Sequence, residues 1–92
     1  PVLAVVGGAL VAAWHAKTDG AERHVFVSIS RDRGQTFSAP AQVPASSGNG
    51  LYPVLAARDG GVQLAWQQGD TIVTRHLKLD DPLFGAQVAR AQ

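Results

Sequence analysis

Pro1-Val2-Leu3-Ala4 returns as Pro53-Val54-Leu55-Ala56, and the two copies stay in step without a gap through Gly8 and Gly60, Leu10 and Val62, Ala13 and Ala65, and Trp14 and Trp66. The offset is 52 residues. Farther on, Val25-Phe26-Val27 lines up with Ile72-Val73-Thr74, and Phe37 with Phe84, at an offset of 47, so the connection after the second tryptophan is about five residues shorter. Self-similarity at such a period marks a chain built from stacked copies of one small unit.

Alternation identifies that unit as β. In the second copy Val62, Leu64 and Trp66 fall on one side with Gln63, Ala65 and Gln67 on the other, a period of two that no helix sustains. Val25, Val27 and Ile29 carry the same signal in the first copy. Gly7-Gly8 and Asp59-Gly60-Gly61 supply the positive-φ residues of tight hairpins. The pattern predicts strands over 2–6, 9–16, 24–30, 37–43, 53–58, 61–67, 71–78 and 84–90, with the Ser-, Gly- and Asn-rich stretch Pro44 to Gly50 as a linker. A repeat of about 50 residues holding four short strands has the size of a propeller blade. The expected architecture is therefore all-β, two four-stranded antiparallel blades over 1–47 and 48–92.

Between the third and fourth strands of the first unit stands Ser30-Arg31-Asp32-Arg33-Gly34-Gln35-Thr36-Phe37. It resembles the Asp-box (BNR repeat), S-x-D-x-G-x-T-[WF], of sialidase-like β-propellers, and matches every fixed position: Ser30, Asp32, Gly34, Thr36 and Phe37. As a turn it makes chemical sense: the Asp32 carboxylate can accept N–H groups of its own loop, Gly34 can take positive φ, and Thr36 can bond back across the turn. Phe37 is expected to close the hairpin onto the core. In the second unit Leu77-Lys78-Leu79-Asp80-Asp81-Pro82-Leu83-Phe84 keeps only the aromatic, so a turn is expected there with different chemistry. The resemblance implies a structural role for the box, on the side of the propeller away from any ligand. It also favours a secreted or periplasmic setting and a total of six blades.

The resemblance carries over no catalytic residue. Sialidases use three arginines, a Tyr–Glu pair and an Asp acid/base, whereas this chain has a single tyrosine, Tyr52, and a single glutamate, Glu22, with nothing in the sequence to join them. His15, His24 and His76 fit no compact metal spacing, and no cofactor or metal is assigned. Trp14 and Trp66, at equivalent positions, read as repeated core residues rather than a sugar-stacking platform. The loops His15–His24, Ser46–Tyr52 and Gln67–Asp70 would share one face of a propeller. Their Lys17, Asp19, Asn49, Tyr52, Gln67 and Gln68 form the candidate face for a polar ligand, a carbohydrate or a protein.

Composition narrows the function classes. Eight Lys/Arg against seven Asp/Glu, scattered from Lys17 to Arg90 without a run, leave a net charge of +1 and no electrostatic footprint for nucleic acid. The absence of cysteine excludes disulfides and thiolate metal sites. The apolar stretch from Pro1 to Ala16 is broken by Gly7-Gly8 and is too short to cross a membrane as a helix, and it lacks the marks of a signal peptide. A chain opening on Pro1 reads as a mature or excised segment. Charged residues make up 16%, below the usual quarter, which suggests that much polar surface is replaced by something buried, a partner surface being one explanation.

Two blades do not close a ring, and closure is how propellers cover their blade faces. The expected function is thus a non-enzymatic interaction or scaffold module that assembles as a homo-oligomer, three copies being favoured, or with the remaining blades of a longer protein. The alternatives are a fragment of a sialidase-like glycoside hydrolase whose catalytic residues lie elsewhere, or a carbohydrate-binding module using Trp14, Tyr52 and Trp66.

Overall fold

A computed structural model describes residues 1–18 and 20–84. Seven strands follow in order: β1 (Val2–Val6), β2 (Ala9–Lys17), β3 (Arg23–Ser30), β4 (Ala41–Gln42), β5 (Gly50–Arg58), β6 (Gly61–Gln68) and β7 (Thr71–Lys78). They form two antiparallel sheets in simple meander order, β1-β2-β3-β4 and β5-β6-β7. Tight turns set the register. Gly7 and Gly8 have φ of 52° and 86°, and Asp59 and Gly60 have φ of 49° and 74°, so each hairpin carries the paired positive-φ residues that match the right-handed twist of its strands. The residue after the second turn is tightly constrained: a Cβ on Gly61 would collide with the Leu77 carbonyl of the neighbouring strand.

The two sheets lie face to face around one core. Ala9, Val11 and Ala13 of β2 and Val25, Val27 and Ile29 of β3 meet Val62, Leu64 and Trp66 of β6, Leu77 of β7 and Phe84. Every one of these side chains is buried, as the period of two requires. Because successive side chains on a strand point to opposite sides, each sheet has a side holding its tryptophan and a side holding the alanine before it. In the second sheet the tryptophan side faces inward, with Leu55, Val62, Leu64, Trp66 and Val73. In the first sheet it is the alanine side that faces inward. The core is therefore a contact between unlike sides of two like units.

Three expectations need correction. The strand placed over 37–43 shrinks to Ala41–Gln42, which pairs only with Phe26 and Val27. Side-chain bonds replace the missing ladder, since the Ser38 hydroxyl accepts the Ile29 N–H at 3.0 Å, the Ser28 hydroxyl donates to the Ser38 carbonyl, and Pro40 has no N–H to give. Phe37 does not close onto the core: it is 41% exposed, while its neighbour Ser38 is buried in its place. Phe84, expected to open an eighth strand over 84–90, instead lies in a helical turn that includes 82–84 and is fully buried; residues 85–90 lie outside the described residues. That turn is capped by Asp81, whose carboxylate accepts the Leu83 N–H at 2.9 Å, with Pro82 at the first helical position where its fixed φ fits.

Candidate functional site

The turn over 30–37 is organised around one carboxylate. Asp32 Oδ1 accepts the Thr36 N–H at 2.9 Å and the Ser30 hydroxyl at 2.8 Å, and Asp32 Oδ2 accepts the Thr36 hydroxyl at 2.6 Å. The Ser30 oxygen in turn accepts the Gly34 N–H at 2.8 Å, and Gly34 takes a φ of 89°. These donors favour the charged form, led by the Thr36 hydroxyl, and lower the Asp32 pKa from 3.8 to about 2. With its lone pairs committed to its own loop, this carboxylate is built to hold a turn.

At the end of the sheets where the linker meets the β2–β3 and β6–β7 connections, most expected polar residues are already engaged. Gln68 is 6% exposed; its Oε1 accepts the Trp66 indole N–H at 2.8 Å and its Nε2 donates to the Ser46 and Gly48 carbonyls, both at 2.9 Å. Asn49 Oδ1 accepts the Arg23 N–H at 2.7 Å, its carbonyl accepts the Gly69 N–H at 3.0 Å, and Glu22 accepts the Gly48 N–H at 3.0 Å. Gln67 Nε2 donates to the Gly69 carbonyl at 3.1 Å. Asn49 and Gln68 thus come together as a clasp that ties the linker to both sheets, while the Gln67 side chain bonds only within the β6–β7 turn. Lys17 is exposed at the end of β2, and Asp19 lies outside the described residues.

Tyr52 stands apart from the clasp and is 67% exposed. It occupies a register shift between Leu51 and Val54, with a φ of 55°, next to Pro53, which cannot join the ladder. Its ring meets the edge of His15 at 5.6 Å, and His15 Nδ1 lies 3.4 Å from the Arg23 guanidinium. The other histidines are elsewhere: His24 is on the opposite side of the first sheet from His15, and His76 Nε2 is 2.8 Å from the Arg58 carbonyl. Among the described residues no three His, Asp or Glu side chains gather around a common point.

The two tryptophans, equivalent in sequence, differ in setting. Trp66 is 3% exposed and its indole N–H is taken, so neither of its faces is free to stack on a sugar. Trp14 is half-buried on the outer side of the first sheet, stacked on Phe26 with ring centroids 6.1 Å apart. Beside it lies an open, mainly apolar groove of about 980 Å³ that reaches across to the second sheet, lined by Leu3, Ala12, Trp14 and Phe37 and, from β5, by Tyr52 and Val54 among others. Reading the repeat together with strand parity exposes the signal for this groove, because Trp14 and Ala13 must point to opposite sides of one strand and only one side can face the second sheet. Comparison with protein-family models, with curated proteins and with solved structures yields no match.

Proposed function

We propose that this chain is a non-enzymatic scaffold module, two successive blades of an Asp-box-type propeller whose bare outer faces are covered by further blades. One observation carries the reading: the core joins the tryptophan side of the second sheet to the alanine side of the first. Two like units that bury unlike sides repeat by rotation, as blades do, and each addition leaves one side of each kind open. A two-fold sandwich would bury the same side of both. The outer sides have the composition of surfaces meant to be covered, since Leu3, Val5, Val54 and Ile72 are 56% to 68% exposed on them.

Copies of the chain can supply the missing blades. Propellers close with about four to eight blades, and three copies, giving six, is the expected count. Light scattering or analytical ultracentrifugation at micromolar concentration tests this directly. A monodisperse species at three times the 9.6 kDa chain mass is expected. A well-folded monomer at every concentration would overturn self-assembly.

A further inference from the structure

The scaffold reading leaves open what lies against Trp14, and the inference drawn here rests on that reading. We infer that the tryptophan side of the first sheet, with Trp14 at its centre, receives the Ile72 side of the second sheet of another copy, in a head-to-tail contact that repeats the chain's own internal interface. Position by position, the tryptophan side of the first sheet matches that of the second. Leu3, Val5, Leu10, Ala12, Trp14 and Phe26 stand where Leu55, Ala57, Val62, Leu64, Trp66 and Val73 stand 52 or 47 residues later. All twelve are apolar. All of the second set but the exposed Ala57 are already packed on an alanine side, and the first set has none to pack on.

The alanine side that remains open is that of the second sheet. There Val54, Ala56, Ala65 and Ile72 replace Val2, Ala4, Ala13 and Val25, residues of the internal core or packed against it. Around this apolar centre the two outer surfaces turn polar in the same way. Gln63, Gln67, Thr74 and His76 surround Ile72 and Ala65, while His24 and Gln42 border Trp14 and Phe26. An apolar centre within a polar rim is the usual anatomy of a protein interface. Segment 31–40 narrows the target further: Ser28 and Ser30 on the tryptophan side are buried beneath it, and Phe37 stands at the groove's edge. What remains for a partner is Leu3, Val5, Trp14 and Phe26. The exposed Ile72, 68% accessible, is the apolar residue of the opposite face that stands out to fill it.

A contact between unlike faces can be tested by blocking them one at a time. Leu3→Asp spoils the tryptophan side of the first sheet, and Ile72→Asp spoils the face that meets it; both sites are exposed in the monomer, so both variants should fold, which circular dichroism verifies. Each variant alone should sediment as a monomer, and an equimolar mixture should give a 1:1 heterodimer with both remaining ends blocked. Trp14 fluorescence in a Trp66→Phe background should shift to shorter wavelength only in the mixture and in the unblocked chain. If the unblocked chain assembles but Ile72→Asp assembles equally well, or if Leu3→Asp alone abolishes assembly while Ile72→Asp forms homodimers, the head-to-tail docking is wrong and the scaffold reading survives. If the unblocked chain never assembles, the docking and self-assembly fall together.

Discussion

Asp32 shows how a single side chain can fix a turn from its surface. Its oxygens collect a backbone N–H and two hydroxyls from between Ser30 and Thr36, so Asp32→Ala leaves those donors to water and frees the segment that leads into Phe37. The variant should melt below the parent near neutral pH, with Asp32→Asn between them. The pH dependence has a definite sign. A carboxyl group held at about 2 when folded and near 3.8 when unfolded stabilises the fold fully above roughly pH 4 and loses that contribution as pH falls towards 2. The gap between parent and Asp32→Ala in thermal melts should therefore close across that window, and a gap that stays constant would show that Asp32 acts through something other than its charge. Gln68 is the buried counterpart. Gln68→Leu removes the acceptor of the Trp66 indole and the donor to two linker carbonyls, and should cost about 1–3 kcal/mol in denaturant unfolding. The motif at 30–37 was legible because its residues act locally. Gln68 was not, because its partners at Ser46 and Gly48 lie 20 or more residues away.

At the scale of strands, six of the eight expected elements appear within a few residues of their predicted bounds, because alternation and glycine turns act over short range. The fourth fails for a reason alternation cannot report: serine hydroxyls took over bonds that a ladder would have made. The paired tryptophans are the sharper lesson. Their equivalence was plain in the sequence, but the side each faces depends on which neighbour its sheet has. That asymmetry sets unequal costs. Trp66→Ala should destabilise the monomer by about 3–5 kcal/mol, the range for a fully buried large aromatic. Trp14→Ala should cost well under half as much, since the ring is half-buried and loses chiefly its stack on Phe26. Chemical denaturation of the two variants at low protein concentration makes the comparison, and equal losses would mean that Trp14 is as enclosed as its repeat partner.

For the whole molecule, an assembling chain has a stability that depends on its own concentration. The melting midpoint of the parent should rise with protein concentration over the micromolar range, and that of Ile72→Asp should not. The purified chain should also turn over no sialoside at any pH, because Tyr52 meets His15 edge-on while Glu22 is bound to the Gly48 N–H. Turnover that copurifies with the chain and disappears in Tyr52→Phe would reverse that expectation. The proposed repetition of the two sheets by rotation would also govern what gene fusion could accomplish. Linking copies in tandem joins each new seam but carries one bare surface forward and leaves the other behind. The tally of unmet surfaces thus stays at two however long the fusion grows, and drops to zero only when the last sheet comes round to the first.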